Sequence, residues 1–135
     1  MLDPRARLVA AWLAKAEEDL AVACLLIRAE KRLLGAGVYH CQQAAEKALK
    51  AWLTAQSKVF PKTHDLEVLL HLAANGGESL PGELSVAACE LTPLATVFRY
   101  PGDLAIPSQA EAVSALEQAE LLLQHVRAGL QALDY

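Results

Sequence analysis

Aromatic residues are scarce in this chain. They make up 5% of its 135 residues, whereas hydrophobic residues as a whole make up 54%. The hydrophobic excess therefore comes mostly from alanine and leucine, which are the best helix formers. An all-α protein is predicted, and a chain of this length can build a core without disulfides or a structural metal.

A positive net charge is also missing. The formal net charge is −4 at pH 7. Broad nucleic-acid-binding surfaces rely on many lysines and arginines, so this balance argues against such a surface. The net charge does not decide whether the surface has a local basic patch.

Long apolar runs, secretory features and an even cysteine count are missing too. The longest fully apolar run near the N-terminus covers residues 20–27, which is far too short to span a membrane. No basic region precedes an apolar run and a cleavage site, so no signal peptide is predicted. Cys24, Cys41 and Cys89 are odd in number and widely spaced. They predict reduced thiols, buried as small hydrophobic side chains, in a cytoplasmic protein.

Metal and cofactor motifs are not evident in the sequence. No His-x-x-x-His or Glu-x-x-His pair occurs, and no glycine-rich phosphate loop is present. These are the spacings that metal sites and phosphate loops require. The sequence therefore predicts neither a metal nor a cofactor.

Helix start signals recur along the chain. Asp3 precedes Pro4, Thr63 precedes an acidic first turn, and Ser108 stands three residues before Glu111 as in a capping box. The five predicted helices cover roughly residues 4–30, 38–57, 64–74, 81–98 and 108–132. Short connections favour an antiparallel up-and-down bundle, in which residues 1–135 form one domain.

Helix-breaking residues set the predicted boundaries. Gly35 and Gly37 predict a turn, and residues 75–77 end the third helix. Pro93 interrupts the fourth helix, with Thr92 as a new cap. Residues 99–103 predict another turn.

The segment 39–51 contains no glycine, proline or asparagine, and it is predicted to be helical. At about 100° per residue its small apolar side chains share one side, where another helix can approach closely. The apolar side consists of Cys41, Ala44, Ala45, Ala48, Leu49 and Trp52. The opposite side consists of Tyr39, Gln43, Glu46, Lys47 and Lys50.

Four motifs, in this order, give the chain a family resemblance over nearly its whole length. They are Trp12 with Ala16-Glu17-Glu18-Asp19-Leu20 and Ala23, then Cys41-Gln42-Gln43-Ala44-Ala45-Glu46-Lys47-Ala48-Leu49-Lys50-Ala51, then Pro61-Lys62-Thr63-His64-Asp65-Leu66, and finally Arg99-Tyr100-Pro101. Together they resemble the HEPN family of small helical bundles. The second and third motifs are the most specific.

The resemblance implies a dimeric bundle that is often encoded beside a minimal nucleotidyltransferase. Many such pairs behave as toxin and antitoxin, and many family members are metal-independent ribonucleases. Ribonuclease members carry an arginine followed four to six residues later by a histidine. In this chain Arg99 has no such histidine, and the next one is His125. The resemblance therefore implies an incomplete ribonuclease motif. No residue of this chain is assigned a catalytic role.

Arg99 and Asp19 form the first candidate pair. A guanidinium matches two phosphate oxygens, so Arg99 could bind a phosphate while Asp19 holds it in place. The alternative is an internal ion pair between the first helix and the exit of the fourth. Both interpretations predict an anionic neighbour for Arg99, because an unpaired buried charge is costly.

The polar side of the second helix also has two interpretations. Glu46 and Lys50 can be an i,i+4 pair on a solvated or dimer-facing surface. Alternatively, Lys47 and Lys50 join Lys58, Lys62 and His64 in a positive end that binds a nucleotide phosphate. The residues predicted to contact a ligand are Asp19, Gln43, Lys47, Lys50, His64, Arg99 and Tyr100.

The predicted function is a nucleotide- or RNA-binding module that acts with a nucleotidyltransferase partner in a pair of the toxin–antitoxin type. A cytoplasmic homodimer with no membrane association is expected. Two alternatives stay open: a metal-independent ribonuclease toxin with a substituted catalytic base, and a purely structural dimerising module.

Overall fold

Helices account for the regular structure of the chain. The computed structural model describes residues 3–74, 80–98 and 106–135. Within these ranges the helices are α1 (Pro4–Arg28), α2 (Leu34–Ala55), α3 (Leu66–Ala73), α4 (Gly82–Leu91), a 3₁₀ helix (Thr92–Ala95) and α5 (Gln109–Ala132). The predicted all-α class with five helices is confirmed over the described part of the chain.

The first and last helices start where their caps predict. The Asp3 carboxylate accepts a hydrogen bond from the Ala6 amide at 2.8 Å, and Pro4 occupies the first helical position. Ser108 and Glu111 form a reciprocal capping box at the start of α5. Both signals are local in sequence, since each cap satisfies an amide within three residues.

The predicted turn at Gly35 and Gly37 is wrong. Both residues lie in the first turn of α2, and the Gly37 amide donates to the Leu33 carbonyl at 2.9 Å. A Cβ atom on Gly37 would lie 2.6 Å from Cγ1 of Ile27. Glycine is therefore required there because α1 and α2 approach closely, and not because the chain turns.

The cap of α3 is also displaced from its predicted position. Asp65 is the N-cap, and its carboxylate accepts from the amides of Glu67 and Val68 at 3.0 and 3.4 Å. The hydroxyl of Thr63 accepts from the Asp65 amide at 3.0 Å, so it orders the approach to the helix. The end of α3 that was predicted at 75–77 lies outside the described residues.

Thr92 joins two helices instead of capping a new one. The chain leaves α4 at this residue and continues through Pro93 as a 3₁₀ helix, so the predicted break is present. The Thr92 hydroxyl donates to the Ala88 carbonyl at 2.7 Å and accepts from the Leu66 amide at 3.0 Å. The start of α3 is thereby fixed against the end of α4.

The core is centred on α2, which contacts α1, α3, α5 and the 3₁₀ helix. Small side chains let these helices approach closely, as predicted for the alanine side of α2. Fully buried alanines of α1 and α2 include Ala16, Ala23, Ala44, Ala45 and Ala48. Among the described residues, no helix is long and apolar enough to cross a membrane.

The three cysteines differ in environment. Cys41 is buried in the core, and burial raises the pKa of its thiol to about 12, so it remains a neutral small side chain. Cys24 is half-buried. Cys89 is exposed, and the prediction of a buried side chain is wrong there, because it lies on the outer side of α4.

Candidate functional site

Buried polar side chains are concentrated on α2 and on the facing side of α1. In the described part of the chain they are Asp19, Gln42, Gln43 and Glu46. The prediction of a solvated polar side is therefore wrong for Gln43 and Glu46. Burying such groups is costly unless each one is hydrogen-bonded or paired, so their partners determine the chemistry of this region.

Glu46 is the centre of the first cluster. Its carboxylate accepts from Nζ of Lys50 at 3.0 Å, lies 2.7 Å from Nδ1 of His64, and accepts from Nε2 of Gln42 at 3.3 Å. Gln42 also donates to the His64 carbonyl at 3.0 Å, and Gln43 donates to Oε1 of Gln42 at 2.8 Å. The predicted residues Lys50 and His64 thus contact the Glu46 carboxylate directly, and Gln43 is linked to it through Gln42.

Lys50 has a second set of neighbours. Its ammonium lies 5.6 Å from the centre of the Trp12 ring and 6.0 Å from that of Phe60. A cation over the face of an aromatic ring is attracted by the ring quadrupole. Lys50 is therefore held between the Glu46 carboxylate and two aromatic rings, and its side chain is only 13% exposed.

Asp19 is the centre of the second cluster. Its two carboxylate oxygens contact Nζ of Lys47 at 2.6 Å and Nδ1 of His40 at 2.8 Å. The partner predicted for Asp19 was Arg99, which lies outside the described residues together with Tyr100. Lys47 is a predicted site residue, whereas His40 is not.

His40 could have been found from the hairpin geometry. The helices α1 and α2 run antiparallel around residues 29–33, so side chains at equal distances from this connection meet. Trp12 and Lys50 satisfy that condition, since each is 19 residues from position 31, and Asp19 and His40 satisfy it approximately, at 12 and 9 residues. An ionised carboxylate only accepts hydrogen bonds, so the imidazole donates its Nδ1 proton to Asp19 and its Nε2 remains for another partner.

A cavity of about 350 Å³ adjoins this pair. It is lined by Gly35, Ala36, Tyr39, His40 and Phe98. The Tyr39 ring meets the His40 ring edge-on, with centres 5.3 Å apart. Phe98 has a φ of 69°, in the left-handed region that is rare for a bulky residue. In the sequence, Arg99 follows Phe98 directly.

A second cavity of about 510 Å³ opens at the other end of α2. It is lined by Pro4, Arg5, Leu8, Trp12, Thr54, Ser57, Lys58 and Phe60. Lys58 donates to the Leu72 carbonyl at 2.5 Å. A further groove of about 640 Å³, between the start of α1 and the end of α5, contains none of the predicted site residues.

Metal ligands are not clustered in the described part of the chain. No group of three His, Cys, Asp or Glu side chains there could hold a metal ion. The acidic residues Asp19 and Glu46 instead neutralise lysines.

Comparisons with known proteins agree with this architecture. The model of the HEPN domain matches residues 9–128. A crystal structure of a protein from Thermus thermophilus is 26% identical, with a TM-score of 0.76, and the match covers 90% of this chain and 97% of that one. An archaeal HEPN homologue is 24% identical, with a TM-score of 0.69, covering 89% of this chain and 95% of the other. No curated protein matches. The chain belongs to the HEPN domain family.

Proposed function

We propose that this protein is a nucleotide- or RNA-binding module that acts with a nucleotidyltransferase partner in a pair of the toxin–antitoxin type. The single observation that carries the proposal is the cavity lined by Tyr39, His40 and Phe98. Phe98 directly precedes Arg99 in the sequence. Aromatic side chains there can stack on a base. His40 can donate to phosphate oxygens there, and Arg99, the next residue in the sequence, is proposed as a second donor.

The lysines of α2 support the same proposal. Lys47 is 25% exposed and Lys50 is 13% exposed, and each is neutralised by one carboxylate. His64 is 65% exposed and adds a further group that becomes positive when protonated. This arrangement favours a ligand with few phosphates over a long duplex, because little unpaired charge is available.

Binding is tested by titrating ATP and a short RNA into the wild type, Arg99→Ala and His40→Ala, with calorimetric detection. We expect both variants to bind at least about tenfold more weakly, because a charge-assisted hydrogen bond is worth about 1.5–3 kcal/mol. His71→Ala is the matched control, since His71 is exposed on α3 and lies away from the cavity. If no ligand binds the wild type, the proposal fails.

A second candidate function, metal-independent RNA cleavage, is favoured by the Asp19–His40 pair. Such cleavage needs a group that removes the 2′-hydroxyl proton, and no histidine follows Arg99 within reach in the sequence. His40 offers a substituted base, because Asp19 binds its Nδ1 and leaves Nε2 for the proton. Cleavage of RNA in EDTA by the wild type, and its loss in both Arg99→Ala and His40→Ala, would support this function. No cleavage over hours would exclude it.

The partner and the assembly are part of the proposal. A small nucleotidyltransferase encoded by a neighbouring gene, and its co-purification with this chain, would support the pair. We further propose a homodimer in the cytoplasm, with the whole chain as one domain. Light scattering distinguishes the dimer from a monomer.

A further inference from the structure

The cavity at the end of α2 has no role in the proposed function. Its volume is about 510 Å³, which lies in the usual range for small-molecule sites. Such sites combine apolar walls with a few polar groups that fix the orientation of the ligand. The apolar wall here includes Leu8, Trp12 and Phe60, and the polar groups include Arg5, Ser57 and Lys58. The chemistry of these polar groups indicates what the cavity binds.

Two polar groups of this cavity have no partner in the described part of the chain. No described residue forms a hydrogen bond or an ion pair with the Arg5 guanidinium or the Ser57 hydroxyl. By contrast, the Thr54 hydroxyl and the Lys58 ammonium each donate to a backbone carbonyl. Arg5 and Ser57 therefore supply hydrogen-bond donors for a ligand, and Arg5 and Lys58 make the polar edge of the cavity positive.

Ser57 adopts a backbone conformation that glycine would adopt at a lower cost. Its φ is 59°, and it follows the end of α2 at the position where glycine is most common. The Ser57 amide donates to the Thr54 carbonyl, and the Lys58 amide donates to the Leu53 carbonyl, both at 3.0 Å. This pair of hydrogen bonds is the Schellman motif. Serine at this position costs stability, but it adds a hydroxyl to the lining of the cavity.

The aromatic wall of the cavity is held in place by a largely buried cation. The Lys50 ammonium lies 5.6 Å from the centre of the Trp12 ring and 6.0 Å from that of Phe60, and Lys50 does not line the cavity. Each ring therefore contacts Lys50 with one part and the cavity with another. Leu8 is 50% exposed and extends this wall. An apolar ligand body that covers the wall would remove apolar surface from water.

We propose that this cavity binds a small carboxylate with an apolar body, of the arylalkanoate or alkanoate class. The carboxylate accepts hydrogen bonds from the Arg5 guanidinium and the Ser57 hydroxyl, since an ionised carboxylate only accepts. The apolar body packs on Leu8, Trp12 and Phe60. The proposal goes beyond the proposed function, because none of these residues lines the cavity around His40.

The charge and the number of free donors favour a carboxylate over other ligand classes. A guanidinium fork matches the two oxygens of a carboxylate. A phosphate ester has three terminal oxygens and would leave acceptors without a partner, since only Arg5 and Ser57 are free. An amine would be repelled by the positive edge that Arg5 and Lys58 form.

The experiment titrates hydrocinnamate, its neutral amide hydrocinnamide, and acetate into the full chain, by calorimetry and tryptophan fluorescence. We expect hydrocinnamate to bind at least about tenfold more tightly than hydrocinnamide, because the amide lacks the charge-assisted hydrogen bonds. Acetate lacks an apolar body and should bind at least about tenfold more weakly than hydrocinnamate. Hydrocinnamate should also change the emission of Trp12, and this change should disappear in Trp12→Phe, which retains Trp52.

Arginine variants localise the carboxylate. Arg5→Gln should weaken hydrocinnamate binding about tenfold and leave hydrocinnamide binding unchanged. Arg7→Gln is the matched control, since Arg7 is an exposed arginine of the same helix and does not line the cavity. Equal losses in the two variants would show that only the overall charge matters, and would overturn the site.

Serine variants separate binding from stability. Ser57→Gly removes the hydroxyl and relieves the left-handed backbone, so it should unfold at a higher temperature while it binds hydrocinnamate about fivefold more weakly. Ser57→Ala should lose the same affinity without the gain in stability. Unchanged affinity in both variants would overturn the contact between the carboxylate and the hydroxyl.

The remaining outcomes distinguish this proposal from its alternatives. If hydrocinnamate does not bind, or binds no more tightly than hydrocinnamide, the proposal is overturned. Tighter binding of phenyl phosphate than of hydrocinnamate would assign the cavity to a phosphate ester instead. Tighter binding of the dipeptide alanyl-phenylalanine would assign it to the C-terminus of a peptide, and would overturn the small-molecule class. AMP binding to Arg5→Gln tests the nucleotide site separately, so either proposal can fail while the other stands.

Discussion

Glu46 is buried in the protein interior and binds cationic or polar side chains from two directions. Lys50 approaches along α2, and His64 approaches from the segment before α3. Once a carboxylate and an ammonium are buried together, removal of one partner leaves the other charge uncompensated. The cluster therefore stabilises the fold as a unit while it keeps Lys50 in place.

Replacement of Glu46 by alanine should lower the free energy of unfolding by about 3 kcal/mol, because Lys50 would remain buried without its acid. Urea denaturation followed by circular dichroism measures this change. Lys15→Ala is the control, since Lys15 and Glu18 form an exposed pair. It should cost less than about 0.5 kcal/mol. Equal costs for the two variants would show that the Glu46 cluster contributes no more than a surface pair.

At the scale of single residues, the sequence identifies the site residues better than it predicts whether their side chains are buried. Lys47, Lys50 and Asp19 were identified from spacing, but Glu46 was assigned to a solvated or dimer-facing side. Periodicity gives the direction in which a side chain leaves its own helix. It cannot show that α1 and the segment around His64 cover that direction, because both are distant in sequence.

At the scale of the helices, glycine is informative because its role differs between positions. A Cβ on Gly129 of α5 would lie 2.6 Å from two atoms of the Trp52 indole ring, whereas a Cβ on Gly82 of α4 would meet nothing within 4 Å. Trp52 is itself buried and packs edge-on against His125. The indole thus occupies the space that any larger residue at position 129 would need.

Gly129→Ala should therefore destabilise the protein by about 1–3 kcal/mol, since overpacking outweighs the gain of about 1 kcal/mol in helix propensity. Gly82→Ala should be neutral or should stabilise by up to about 1 kcal/mol, since only the unfolded chain loses freedom. Thermal unfolding of both variants measures the difference. A more stable Gly129→Ala would mean that Trp52 moves aside without cost.

The helices themselves were largely predictable. Asp3, Pro4 and Ser108 mark helix starts through contacts within three residues, and these starts are confirmed. Gly35 and Gly37 were predicted as a turn because glycine commonly breaks helices. The close contact with Ile27 that requires Gly37 is tertiary and leaves no local signal.

At the scale of the whole molecule, the candidate site depends on how α1 and α2 pair. Asp19 and His40 meet only because the two helices run antiparallel around a short connection. The same pairing brings Trp12 to Lys50 at the far end of α2. The family resemblance predicted the helical bundle. It offered no general base for RNA cleavage, because no histidine follows Arg99 at the family's spacing. In the second candidate function, His40 of α2 is the histidine proposed as the base, and the hairpin places it against Asp19.

Charge over the whole molecule sets the expected salt dependence of binding. The net charge is −4, and the polar side of α2 contains two lysines, Lys47 and Lys50. Each phosphate neutralised on a single strand contributes a slope of about −0.7 in log K against log salt, so two contacts give about −1.4. Binding of the short RNA measured from low to high salt checks this value, and Lys47→Gln should reduce the slope by about 0.7. Lys15→Gln should leave it unchanged, because Lys15 is exposed on α1 away from both cavities. A slope near −3 would place the RNA on a different and more basic surface, since two paired lysines cannot release that many counterions.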